Sequence, residues 1–401
     1  MPKNIIVDMP GVILDGVEYE GEFPLIFKIR FSKKFEVCPH CGRGEKLRKK
    51  TRYERKVRHH NIGEKAVLLK IRGHKFYCRN CQRYFNQRFP GILPRRRYTE
   101  SFRREIVNQH DKGIPQSILG KWRQLGAATI ERWYHDLLDR KDREIRFQVC
   151  PEYLGIDEHS FTKKKGFVTT LCDLTNRRIM DVLPGRSEQS LRGSLAYLKE
   201  KERVKMVCMD LSDTYRSLVK QYFPQARIVA DRFHVIRLIN QHFLKTWHSL
   251  DPDAKYSRGL LSLMRRHEWH LKESQRDRFQ AYLDHVPGLR PLYEFKQSLT
   301  QLCLMKHQNQ RDCQRLVRQL IYCIEQLKSS GFESMRTLGN TLDSWKEEIA
   351  CMWRYTKNNS ITEGFHRKMK LIQRRAYGFK NFDNYRLRVR VLCGSINTSI
   401  C

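Results

Sequence analysis

The chain has 401 residues, with 78 Lys and Arg against 43 Asp and Glu, and its formal net charge of +35 makes it too cationic to be indifferent to polyanions. At 40% hydrophobic and 11% aromatic it can still bury substantial cores, which argues against disorder and for roughly two to four domains. The charge is uneven, +17 over residues 31–110 but +4 over residues 245–350, and basic blocks interleaved with Tyr, Phe and Trp are the footprint of a nucleic-acid binder rather than of a solubility device.

The N-terminal VDMPGVILDGVEYEG is broken by acids where a signal peptide needs an apolar core, and no apolar run reaches the roughly 18 residues of a membrane span. No amphipathic anchor or lipidation motif is found, so a cytoplasmic, nucleoid-associated protein without membrane partners is expected. Most of the 13 cysteines are isolated in apolar sequence and read as small core residues. Four differ. VCPHCGR supplies Cys38 and Cys41, FYCRNCQRYF supplies Cys78 and Cys81, and each Cys-x-x-Cys can turn two thiolates toward one tetrahedral Zn²⁺. The 36 intervening residues read as two strands around a turn at Asn61 to Glu64, giving a zinc ribbon with a long hairpin. His40, His59, His60 and His74 lie close enough in sequence to replace a thiolate, though four cysteines are the simpler set.

In the next segment Thr99 or Ser101 can cap a first helix, Gly113 ends it and Pro115 begins a second. After a short turn at Gly126, a third helix gathers Ile130, Trp133, Tyr134, Leu137 and Leu138 on one face. Helix, short turn, helix is the helix-turn-helix pattern, and Lys121, Thr129 and Arg132 are its candidate DNA contacts.

From residue 152 the period changes. EYLGIDEHS, GFVTTLCDLTN and RRIMDVLPG read as three strands, the first two joined by a polar turn at Lys163 to Gly166. A helix in SEQSLRGSLAYLKEK, a buried strand in VKMVCMDLSD, a helix in TYRSLVKQYFP and a strand in ARIVADRFHV follow. This is the order of a ribonuclease-H-like domain, in which the first and fourth strands are neighbours and bring Asp157 and Asp210 together at their ends. Asp213 and Asp231 each look like helix N-caps. Two carboxylates so placed repel one another unless a hard cation holds them, which points to Mg²⁺ or Mn²⁺.

Helical spacings such as Leu316, Leu320, Ile324, Leu327 and Leu338, Leu342, Trp345, Ile349, Met352 replace the sheet pattern between Phe243 and Tyr355, as in a helical insertion with its own core. Asn359 or Ser360 can then cap a helix that puts Glu363 in its first turn and returns it to the sheet. Arg367, Lys368, Lys370, Arg374, Arg375 and Lys380 follow on the same segment, suited to holding a phosphodiester backbone.

The order of zinc ribbon, helix-turn-helix, LGIDEHS, MDLSDTY, ADRFHV, helical insertion and TEGFHRKMKLIQRRAYGF resembles the DDE transposases of bacterial insertion sequences, specifically the ISL-three group. The resemblance covers nearly the whole chain. It implies a multidomain α/β protein whose ribonuclease-H-like mixed sheet is interrupted by an all-α insertion and preceded by a zinc ribbon and a helix-turn-helix. The expected divisions are 1–95 for N-terminal strands and ribbon, 96–145 for the helix-turn-helix, 150–243 for the first part of the catalytic domain, 244–355 for the insertion and 356–401 for the closing helices. By the same resemblance Asp157, Asp210 and Glu363 would be the metal-binding triad, the activity would be cleavage and joining of DNA at terminal inverted repeats, and a homodimer on double-stranded DNA is the expected assembly. Two other readings remain: a structure-specific nuclease using Asp157, Glu188, Asp210 and Asp231, and a DNA-binding regulator whose catalytic fold is only a dimerisation platform.

Overall fold

The structure, a computed structural model, describes residues 9, 11–19, 24–31, 36–145, 149–162, 166–306, 308–355, 360–376 and 378–394. The chain forms two compact units, Met1–Arg140 and Lys141–Cys401.

The first unit begins with five strands: β1 (Val12–Glu18), β2 (Leu25–Phe31), β3 (Leu47–Ile62), β4 (Lys65–Cys78) and β5 (Arg83–Asn86). They form one sheet in the order β1-β2-β4-β3, with β5 paired to the end of β4. The β3/β4 hairpin closes at the Ile62↔Lys65 pair, with Gly63 at φ 58° in the turn, where the sequence predicts it. Alternate residues of β4, Val67, Leu69 and Ile71, pack with Phe27, Ile29 and Val57. At the far end Phe76 and Phe85 form a second small core with Cys38 and Cys78.

Three helices follow: α1 (Glu100–Asp111), α2 (Gln116–Arg123) and α3 (Ala127–Ile145). Thr99, not Ser101, caps α1 by accepting the Phe102 N–H at 3.3 Å. The predicted face of α3 is buried at Ile130, Trp133, Tyr134 and Leu138 and partly buried at Leu137, positions that recur at helical spacing, with Trp133 against Tyr98 and Phe102.

The second unit holds β6 (Tyr153–Thr162), β7 (Gly166–Asp173), β8 (Arg178–Pro184), α4 (Glu188–Ala196), β9 (Met206–Met209), α5 (Asp213–Tyr222), β10 (Arg227–Ala230) and α6 (Arg232–Leu250). Its sheet runs β10-β9-β6-β7-β8, parallel across β10, β9 and β6 and antiparallel across β6, β7 and β8. The predicted turn residues Lys163 to Lys165 lie outside the described residues. β9, MVCM, is buried on both faces, as a central parallel strand must be. Ser212 caps α5 in place of the predicted Asp213.

One predicted strand is too long. In ARIVADRFHV the strand ends at Ala230, and Asp231 accepts the Phe233 N–H at 3.4 Å and starts α6 at once. Val235, Ile239, Phe243 and Trp247 then recur every fourth residue on its buried face. α6 therefore passes unbroken through residues 243 and 244, where the sequence suggests a boundary.

Where the insertion is expected the chain forms α7 (Arg258–Arg265), α8 (Glu273–His285), α9 (Leu289–Leu304), α10 (Gln310–Lys328), α11 (Glu333–Ser344) and α12 (Lys346–Arg354). Both predicted apolar stripes are buried, but not in a separate core: one continuous cluster runs from the sheet through α6 into these helices. Arg232 ties the two parts, donating to the carbonyls of Cys303 (2.7 Å), Met305 (2.9 Å) and Met352 (2.9 Å). α13 (Ser360–Arg375) and α14 (Phe382–Gly394) close the unit, with Arg386 of α14 paired to Asp181 of β8 at 2.8 Å. The cap candidate Asn359 lies outside the described residues. No helix among the described residues is long and apolar enough to cross a membrane.

Trp345, at the joint of α11 and α12, is 2% exposed and lies under the Arg216 guanidinium, 3.5 Å from its ring centre. Trp345→Ala is expected to destabilise this unit by about 3–5 kcal/mol through the cavity and the lost cation–π contact. A melting temperature equal to the parent's would contradict the burial on which this rests.

Candidate metal centres and a carboxylate cleft

Strand register brings three carboxylates into a row. Ile156 of β6 pairs with Met209 of β9, and Met209 pairs with Ala230 of β10; the next residues in the chain are Asp157, Asp210 and Asp231. Asp210 and Asp231 directly follow the carboxyl ends of β9 and β10, whereas Asp157, expected at a strand end, lies inside β6 just past its last pair with β9, because β6 runs on to Thr162 against β7. Asp157 and Asp210 are the pair expected from the sequence. Asp231 joins them while also capping α6.

The hydrogen bonding around them is incomplete. Asp157 Oδ1 accepts the Glu158 N–H at 2.7 Å. Asp210 Oδ1 is buried with no donor, although His234 Nε2 approaches to 3.1 Å. Ligand atoms of Asp157, Asp210 and His234 all lie within 4.8 Å of one another. Asp231 is 3.7 Å from the same imidazole, and His366 stands 3.8 Å from Asp157.

Burial pushes the Asp157 carboxyl up to about 7 against the pull of the Glu158 N–H, aided by repulsion from Asp231, Glu158 and Glu363. Burial, then Asp157 and Asp231, pushes Asp210 up to about 9. Burial raises Asp231 to about 6, opposed by the Phe233 N–H and by Arg232. The imidazoles move the other way: burial, with Arg237 beside one and Lys370 beside the other, lowers His234 and His366 to about 4. His234 is thus a neutral ring beside Asp210, not half of an ion pair. Clustered acids that resist ionisation, with one buried oxygen lacking a donor, suit a divalent cation bound by oxygen and imidazole.

Glu363 sits in the first turn of α13 as expected and lines the same cleft of about 390 Å³ with Asp157, Glu158, Asp231, His234 and His366. It stands outside the tight group of Asp157, Asp210 and His234, its side chain 52% exposed and paired with Arg367 at 3.2 Å. Glu188 is elsewhere, held by Arg192 at 2.6 Å. Sequence reading misses His234 because a strand through ADRFHV gives no reason to group it with Asp231, whereas the helix beginning there puts positions 231 and 234 on one face. The strand-to-helix switch at a capping Asp was the available signal.

The second centre lies in the first unit. Cys38, Cys41, Cys78 and Cys81 present four sulfurs within 4.8 Å of one another, with 3.5 Å from Cys38 to Cys81 and 3.7 Å from Cys41 to Cys78. A tetrahedron with zinc–sulfur bonds of about 2.3 Å has edges of roughly 3.8 Å, so the cage has the size of a zinc site. Against the effect of burial, the N–H groups of His40 and Cys41 hold the Cys38 thiol down to about 7, while burial and the neighbouring thiols push Cys81 up to about 12. A dication removes that conflict. Two of the four alternative histidines are engaged elsewhere, His59 with Thr99 at 2.9 Å and His60 with Glu105.

Of the candidate DNA contacts, Lys121 and Arg132 are exposed, and Arg132 reaches Thr129 Oγ1 at 3.4 Å on the same face of α3. Arg367, Lys370, Arg374, Arg375 and Lys380 are exposed on or after α13. Lys368 instead turns inward and donates to the Leu392 carbonyl, fastening α13 to α14.

Residues 154–389 match the ISL3 DDE family described as transposase, and residues 34–81 match the zinc finger of transposases IS204, IS1001, IS1096 and IS1165. The chain is also similar to the transposase for insertion sequence element IS1001 of Bordetella parapertussis, 25% identical over 369 residues, which cover 89% of this chain and 88% of that protein.

Proposed function

The chain belongs to the ISL3 family of DDE transposases, and we propose that it binds the terminal inverted repeats of an insertion sequence and catalyses metal-dependent cleavage of the element's ends and their strand transfer. The observation that carries this reading is the row of Asp157, Asp210 and Asp231 on adjacent parallel strands, with the buried oxygen of Asp210 lacking a donor. The strand order β10-β9-β6-β7-β8 supports a ribonuclease-H-like catalytic domain interrupted by the helical insertion.

Asp157 and Asp210 would hold the divalent cations, Mg²⁺ or Mn²⁺, and Glu363 of α13 lines the cleft onto which Asp157 opens. Such cations supply activation of the attacking water or DNA 3′-hydroxyl and stabilisation of the leaving oxygen. Asp157 is buried and Asp210 half-buried, so both carboxylates are largely withdrawn from solvent. His234 adds no positive charge to the site, and Arg367, Lys370, Arg374 and Arg375 hold the backbone being cut.

In the first unit Cys38, Cys41, Cys78 and Cys81 bind one structural zinc, and the three helices carry Lys121, Thr129 and Arg132 to the DNA. The functional division is ribbon (1–95), helix-turn-helix (96–145), catalytic domain (150–243 and 356–401) and insertion (244–355). The protein acts in the cytoplasm, as a homodimer on DNA.

The test is incubation of the purified chain with Mg²⁺ or Mn²⁺ and labelled element ends, scoring both cleavage and joining. Glu363→Gln is expected to lower both about 100-fold with DNA affinity nearly unchanged, since it removes one charge from the cleft and little else. Glu188→Gln is expected to change neither, because Glu188 only pairs with Arg192. The place of Asp231 in the row favours one second reading, a nuclease without joining activity. Full activity in Glu363→Gln with loss in Asp231→Asn, and no joined product, would select it.

A further inference from the structure

α10 carries an unpartnered cationic face. Its buried side is Leu316, Leu320, Ile324 and Leu327, and the opposite side exposes Arg315, Arg318 and Tyr322 at spacings of three and four, the tyrosine 66% exposed. Among the described residues neither guanidinium has a carboxylate at ion-pair distance. Together with α9 this face forms a groove of about 530 Å³ whose remaining walls include Ser298, Gln301 and Gln319 over a floor of Leu302 and Met305, and no acid lines it.

The groove opens beside the carboxylate cleft. Met305 lines the groove, while its chain neighbours Leu304 and Lys306 line the cleft, so the segment 304–306 contributes to both walls. Their relation is fixed by Arg232, the residue after Asp231, which donates to the carbonyls of Cys303 and Met305. The catalytic edge and the inner wall of the groove are therefore tied directly together.

We propose that this groove holds the backbone of the DNA flanking the reacting phosphodiester, an inference that rests on the transposase reading of the cleft. DNA that enters the cleft past Arg237 and Lys306 continues across Met305 onto Arg318 and Arg315. Guanidinium forks match phosphate oxygens, the glutamines and Ser298 offer neutral hydrogen bonds, and Tyr322 packs on a sugar or an unstacked base over the apolar floor. A protein partner would leave two arginines facing a surface that needs matching acids. The helical insertion then sets how the flanking DNA leaves the active site, a role apart from chemistry.

The experiment compares full-length protein with the Arg315→Ala/Arg318→Ala double variant and with Tyr322→Ala, on labelled element ends carrying flanking duplex. Hydroxyl-radical footprints and the salt dependence of binding are the readouts, with melting temperature as the folding control. Loss of protection at a few consecutive phosphates on one side of the cut, and a log–log salt slope reduced by about two in the double variant, supports the proposal. An unchanged footprint and slope in folded variants overturns it. So does a change in sedimentation of the free protein with DNA binding intact, which makes the groove a protein-docking face. If the parent protein itself protects and cuts no element ends, the transposase reading has failed as well, whatever the variants do.

Discussion

Asp210→Asn is expected to lower end cleavage roughly 10³-fold or more, since a ligand whose cation contributes several kcal/mol to the transition state is lost. The same change should make the cation-free protein more stable at neutral and alkaline pH. In the unfolded chain this carboxyl ionises near pH 4, whereas in the fold burial and its acidic neighbours hold the proton to about pH 9. Between those values the folded state binds the proton and the unfolded state does not, so stability falls as pH rises through the window. Below it both states are protonated and nothing is lost. Asn carries no charge and removes that slope. Melting curves from pH 5 to 9 with chelator should diverge, the variant melting higher at the alkaline end, and added Mg²⁺ should raise the melting temperature of the parent only. Parallel curves would mean that Asp210 is not strained by its neighbours, and the case for a cation there would fall with it.

The second large effect is at the other centre. Cys78→Ser is expected to release the zinc and unfold the far end of the β3/β4 hairpin, because the local core there is only Cys38, Phe76, Cys78 and Phe85 with two partly buried neighbours. Zinc binding of about 10–16 kcal/mol in such modules far exceeds what so few side chains contribute. A serine hydroxyl fills the space of the thiol but is a poor ligand. Zinc per chain should fall from one to none, and limited proteolysis should cut within residues 36–86, while the second unit, with its own large core, melts as before. One equivalent of zinc retained in the variant would show that the four thiols are not the ligand set.

Much of the architecture was legible in the residues. Cys-x-x-Cys pairs announce a metal cage because thiolates at that spacing have little else to do together, and helical or alternating periodicity placed the hairpin, the three helices and the three antiparallel strands correctly. Two local errors have one cause. ARIVADRFHV is apolar enough to read as a strand throughout, a reading at odds with the N-cap character of Asp231; the structure follows the cap, and the overlong strand hid both His234 and the continuity of α6 through the expected boundary. The separate core expected for the insertion failed for a related reason: a stripe says that a helix face is buried and leaves open against what.

The sequence by itself therefore determined composition-driven properties and local period: the cationic character, the sulfur cage, the order of elements and the identity of the acids at strand ends. Tertiary structure alone decided which of those acids meet. The pairing of β6 with β9 and of β9 with β10 is a long-range register, and a shift of one residue would point an aspartate to the opposite face of the sheet. The inward turn of Lys368 and the lowered pKa of His234 are likewise set by burial and by contacts between residues far apart in the chain, quantities that no local window of sequence contains.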